Sequence, residues 1–146
     1  MQDAHPFAVL FRDDKSDERR TRSSAEGDAK VIDNPHALER AGVYEQALAL
    51  TSAIDVVVEK SEARFHLKDL LDKSATVVAL RIAQAAGETA KGDRRKHYRI
   101  ARRAATDCAA ILDILGRRPG CDAALIAPAR ALILSLVTQL AHLATR

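Results

Sequence analysis

Residues 93–115 read DRRKHYRIARRAATDCAAILDIL. Within them Tyr98, Ala101, Ala105, Cys108, Leu112 and Leu115 recur at spacings of 3, 4, 3, 4 and 3. That rhythm puts six apolar side chains on one stripe of a helix and predicts an amphipathic helix. The same rhythm extends on both sides. Leu71, Ala75, Val78, Ile82 and Ala85 precede it at spacings of 4, 3, 4 and 3. Earlier still come Val43, Ala47, Leu50, Ile54 and Val57, and after it Ala129, Ile133, Leu136, Leu140 and Leu143, each set again at 4, 3, 4 and 3. Four stripes joined by short connections predict an all-α fold, an antiparallel up-down four-helix bundle over residues 35–146.

Composition agrees. The chain has 146 residues, 47% hydrophobic but only 3% aromatic, with six Gly and four Pro. One domain of this length buries a real core. Sparse turn residues and sparse aromatics exclude a sandwich or barrel of many short strands. No uninterrupted apolar run approaches the roughly 18 residues of a membrane span, and no signal-peptide core opens the chain. Two Cys in a chain of this size fit a reduced, cytoplasmic setting without disulfides.

Start and stop signals bound the helices. Asn34 is an expected N-cap with Pro35 as first helical residue. Ser61 is the expected cap of the second helix and Asp122 of the fourth, where Pro128 implies either a later start or a kink. Residues 1–34 carry six basic and eight acidic side chains and no periodic apolar face. They are expected to form a disordered tail, interrupted by the apolar knot of Phe7, Val9, Leu10 and Phe11.

A second apolar line flanks each seam. Tyr44, Leu48 and Val58 lie beside the first, Leu70, Val77 and Leu80 beside the second, and Ile100, Ala104, Ile111 and Ile114 beside the third. A monomeric bundle needs about three apolar positions per heptad. The surplus predicts a homo-oligomer.

The net charge of +3 conceals an uneven distribution. Residues 35–90 carry six basic and eight acidic groups, whereas residues 91–118 carry nine basic against three acidic, a net of +6. Lys91, Arg94, Arg95, Lys96, Arg99, Arg102 and Arg103 are therefore the candidate nucleic-acid-binding residues. Arg95, Arg99, Arg102 and Arg103 fall at i, i+4, i+7 and i+8, on one ridge. Ala90 offers no side-chain cap, and uncapped amides beside clustered cations suit a phosphate. With Tyr98 on the core seam, no aromatic interleaves the ridge, so contacts are expected with backbone phosphates and little base sequence. The competing reading is a solvated face paired with Asp69, Asp72 or Glu88 of the second helix.

Two segments resemble a known family. Residues 70–87, LLDKSATVVALRIAQAAG, followed by residues 93–113, are similar to the four-helix-bundle proteins first noticed in intervening sequences of 23S ribosomal RNA genes. That family also includes the accessory variability determinant of diversity-generating retroelements. Ala75, Val78, Ile82, Ala83 and Gly87 match its first motif, and Asp93, Arg94, Lys96, Tyr98, Ile100, Ala101 and Arg102 its second, with Asp107 where Glu is usual. The chain departs from the pattern at Arg81, Gln84, Ala85, Glu88, Ala90, Arg103 and Ala104. The resemblance implies a bundle assembled as a pentameric ring, whose basic surface in some relatives binds nucleic acid and a reverse transcriptase, with no enzymatic activity.

Other constellations are bland. His5, His36, His66, His97 and His142 form no Glu-x-x-His pair, so no di-iron site is expected. Glu62 and His66 read as a surface pair. Cys108 and Cys121 fit no zinc spacing and are expected as free thiols. Asp107, on the Ile100–Ile114 line, is expected to be partly buried and bonded to Lys73 or Arg103. Without a nucleophile–base pair, phosphate loop or paired carboxylate, neither enzyme activity nor a metal or cofactor is expected. The surviving functions are an oligomeric nucleic-acid adaptor, for instance to a reverse transcriptase, and a structural or protein-interaction bundle.

Overall fold

The computed structural model describes residues 35–146. The expected tail, its apolar knot and the Asn34 cap lie outside the described residues. Within them the chain forms four helices: α1 (Pro35–Lys60), α2 (Phe65–Gly87), α3 (Lys91–Gly116) and α4 (Ala123–Thr145). The connections, residues 61–64, 88–90 and 117–122, are too short for anything but reversal of direction, so neighbours run antiparallel. Each helix packs on its two neighbours around the ring, α1 closing against α4, and none reaches across the diagonal among the described residues.

All four seams are buried as their spacing requires. Val43, Ala47, Leu50, Ile54 and Val57 are fully enclosed, as are Val78 and Ile82 of α2, Ala105 and Cys108 of α3, and Leu136 and Leu140 of α4. Burying a Leu or Ile completely contributes about 1.5–3 kcal/mol, so these seams dominate the fold's stability.

The ends differ in how they are closed. Asp122 caps α4 as expected, its Oδ1 accepting from the Ala124 amide at 3.2 Å. Helix α4 begins at Ala123 and contains Pro128, which excludes the later start. Ser61 does not cap α2, which begins at Phe65 with Arg64 before it and no side-chain cap. Instead the Ser61 amide closes α1 on the Val57 carbonyl at 2.9 Å, and its hydroxyl accepts from the Ala63 amide at 3.1 Å. The connection thus lies between the two helices where a direct cap was expected. At the same end Gly120, with a φ of +87°, offers its carbonyl to the Glu62 amide at 3.2 Å, joining two connections.

Averaged along the helix instead of counted in uninterrupted runs, α1 from His36 and α4 are each long and apolar enough to cross a membrane. Run-counting missed this because Glu45, Asp55 and Arg130 break the apolar stretches.

Candidate nucleic-acid interface

Helix α3 carries all seven candidate cations, and its geometry divides them. At about 100° per residue, Arg95, Arg99 and Arg102 fall within roughly 60° of one another, opposite the buried line of Ala101, Cys108 and Leu115. Arg99 and Arg103 are exposed, while Arg95 and Arg102 are half-buried at the edges. Lys96 is exposed on a separate flank. Lys91, Arg94 and Arg95 turn instead toward the end of the bundle.

There they meet residues the sequence reading did not connect. A cleft of about 260 Å³ opens where α1 and α3 begin and α4 ends. Helix α1 contributes His36 and Arg40 to its walls, and α4 contributes Leu143 and Arg146. Tyr98, only 3% exposed, belongs both to the core and to the cleft's lining. Among the described residues the lining contains five permanently cationic side chains and no acidic one. Arg146 is itself paired with an acid, Glu39 Oε2 accepting from its Nη1 at 2.7 Å. Arg146 Nη1 also donates to His36 Nδ1 at 2.9 Å, which requires that nitrogen to be unprotonated. His36, Arg40 and Arg146 escaped notice because they lie far from α3 in sequence and join it only when the bundle closes.

Two of the three expected neutralising partners are occupied elsewhere, and Asp72 forms no ion pair with α3 among the described residues. Asp69 pairs with Lys73 on its own helix at 2.8 Å. Glu88 accepts from His97 Nε2 at 3.3 Å, and Arg81 Nη1 donates to the other ring nitrogen at 3.3 Å. Among the described residues no ion pair joins Lys91, Arg95, Lys96, Arg99, Arg102 or Arg103 to an acid. Arg95 Nε is buried with no hydrogen-bond partner among those residues. As Ala90 lacks a side-chain acceptor, the α3 amides have no side-chain cap, and Asp93 is the single acid of that first turn.

The remaining candidates are placed as follows. Asp107 is exposed, a correction to its expected burial, and Lys73 is committed to Asp69. Ala104 and Ile111 are buried, but Asp107 lies about 40–60° farther round the helix from the core. Cys108 is fully enclosed and its thiol is pushed up to about 12 by burial and then by the Asp107 charge. Cys121 is free and half-buried in the α3–α4 connection. Glu62 and His66 are both exposed and form no ion pair among the described residues. No three His, Cys, Asp or Glu side chains among those residues gather as a metal site.

Comparison with protein-family models, with curated proteins and with solved structures returns no match.

Proposed function

We propose that this chain is a non-enzymatic bundle that binds the sugar–phosphate backbone of nucleic acid through the basic side of α3. The observation that carries this reading is the set of six α3 cations without an acidic partner among the described residues, three of them, Arg95, Arg99 and Arg102, aligned on one side of the helix. Cations held apart from carboxylates gain from releasing a polyanion's counterions, a term that grows with each phosphate neutralised. Base recognition is minor: Tyr98 is in the core, and exposed Phe65 begins α2 at the opposite end of the bundle.

Apolar surface supports self-association as part of the same proposal. Leu70, Leu80 and Ile114 are about half exposed on the α2 and α3 flanks. The family resemblance suggests a five-membered ring and a role as adaptor to a nucleic-acid enzyme such as a reverse transcriptase. Mass in solution by light scattering tests the assembly, and a single-subunit mass would refute it.

The alternative, a structural or protein-interaction bundle with no nucleic-acid role, draws on Phe65 and Leu134, 82% and 60% exposed away from the basic ridge. Salt-titrated fluorescence anisotropy with generic RNA and DNA separates the two readings. Nucleic-acid binding requires affinity to fall roughly 10³-fold or more between 50 and 200 mM salt for about six contacts. It also requires Arg95→Glu, Arg99→Glu and Arg102→Glu together to abolish binding; unchanged affinity would leave the alternative standing.

A further inference from the structure

The ridge and the cleft differ in shape, and the difference selects what each can hold. A convex helix side offers contacts to successive phosphates of a strand lying across it. The cleft is concave, walled by three helices, and its 260 Å³ falls below the roughly 300–1,000 Å³ of most ligand pockets. A strand cannot thread through such a space, but one small anionic group fits it.

Charge narrows the group further. An internal phosphodiester carries one negative charge. A terminal phosphate monoester carries about −1.5 to −2 at neutral pH and presents three acceptor oxygens. Arg40, Lys91, Arg94, Arg95 and Arg146 line the cleft, Arg146 paired with Glu39, and no acidic side chain among the described residues joins that lining. Guanidinium groups present paired donors that match phosphate oxygens bidentately. Arg95 lines the cleft, and its Nε is a buried donor with no acceptor among the described residues, so no bond at that atom draws the guanidinium away from the cleft. Arg95 also belongs to the ridge, with Arg99 about 6 Å and Arg102 about 10.5 Å farther along the helix axis. A strand lying on the ridge is thus led by its end into the cleft.

We propose that the cleft at the start of α1 and α3 and the end of α4 holds the terminal phosphate monoester of a nucleic-acid strand whose backbone then follows Arg99 and Arg102. This rests on the nucleic-acid reading of the α3 ridge and adds to it a preference for phosphorylated ends. The occupant is a strand and not a free nucleotide or a phosphorylated peptide, because the cleft is continuous with a row of cations suited to further phosphates.

The test uses the full chain and one short, mixed-sequence, internally labelled oligonucleotide bearing a 5′-phosphate, a 3′-phosphate or neither. Fluorescence anisotropy at fixed salt should show one of the phosphorylated forms binding roughly tenfold tighter than the unphosphorylated strand, the factor expected of one charge-assisted hydrogen bond. Lys91→Glu, an exposed first-turn change compatible with the helix dipole, should weaken the phosphorylated strand about tenfold more than the unphosphorylated one and so remove that preference. Arg99→Glu should weaken all three strands alike. Equal binding of the three strands, or a preference that survives Lys91→Glu combined with Arg40→Gln, would overturn the cleft assignment and leave the ridge intact. Absence of binding by every strand would overturn both. Adenosine monophosphate and a phosphoserine peptide serve as competitors. Displacement of the phosphorylated strand by either at the strand's own concentration would make the occupant a free nucleotide or a peptide, and refute the proposal.

Discussion

Arg146 Nη1 lies 2.7 Å from Glu39 Oε2, tying the residue after α4 to the second turn of α1 at the mouth of the basic cleft. The pair is partly exposed, and such pairs contribute about 0–1 kcal/mol. Its larger effect is on charge, since Glu39 neutralises one of the five cations lining the cleft. Glu39→Gln therefore releases Arg146. Affinity for an end-phosphorylated oligonucleotide should rise about threefold, and thermal stability should change by less than about 1 kcal/mol. Titration of the variant beside wild type measures this; weaker binding would mean that Arg146 does not face the ligand.

The +6 segment read from the sequence is not one patch. Helix α3 is 26 residues long, about 39 Å, and Arg117 and Arg118 follow its far end. Arg99→Ala should weaken RNA and DNA of any sequence uniformly and reduce the salt slope by about 1. Arg117→Ala with Arg118→Ala should leave both affinity and slope unchanged. Binding isotherms at several salt concentrations distinguish the two; equal losses would imply a diffuse electrostatic effect with no defined ridge.

Gly120 is required twice over. Its φ of +87° disfavours any side chain, and a Cβ there would lie 2.8 Å from Glu62 Cβ. Relief would have to come from the backbone, because Glu62 is held by its own amide on the Gly120 carbonyl. Gly120→Ala should cost about 2 kcal/mol and several degrees of Tm. Gly42 is the contrasting case, inside α1 with nothing within 4 Å of a built Cβ. Gly42→Ala should stabilise the protein by about 0.5–1 kcal/mol. Thermal melts of the two variants should shift in opposite directions.

What sequence made legible was local. The seam of Tyr98, Ala101, Ala105, Cys108, Leu112 and Leu115 needed only helical periodicity, and every member is buried. The flanking line of Ile100, Ala104, Asp107, Ile111 and Ile114 was read as one stripe, yet its members drift around the helix. Ala104 and Ile111 turn inward, whereas Asp107 and Ile114 face water. Seven cations of the candidate interface were visible because they cluster in sequence. The cleft was not, because His36 and Arg146 are 110 residues apart and meet only through the packing of α1 on α4. Arg81 and Glu88 are joined through His97, a link between α2 and α3 that no spacing rule reveals.

Pro128 sits inside α4, where it cannot donate to the carbonyl four residues earlier, Ala124. An interior proline costs a helix about 3 kcal/mol relative to Ala. The surrounding seam, with Ala129 and Ile126 buried, holds the helix together despite that loss. Pro128 itself is exposed, so its replacement leaves no cavity. Pro128→Ala should raise stability by about 1–3 kcal/mol in denaturant melts; a destabilised variant would show that the ring fixes a local bend on which the packing depends.

The two thiols should separate by reactivity and by pH. Cys108 is enclosed, and burial followed by the neighbouring Asp107 charge raises its pKa from 9.0 to about 12, so it holds its proton throughout the neutral range. Thiolate is the reactive form, so Cys108 should resist a thiol reagent in the native protein while half-buried Cys121 reacts. Denaturant should expose both, giving one titratable thiol when folded and two when unfolded. The shift also fixes the sign of a stability change. Between about pH 9 and 12 the unfolded chain releases the Cys108 proton and the folded chain keeps it, so the folded state binds more protons. Stability from this group is complete below pH 9 and falls as pH rises toward 12. Cys108→Ala should flatten that decline in denaturant melts taken across the window. An unchanged decline would assign it to other groups and place Cys108 in a more polar setting than the seam provides.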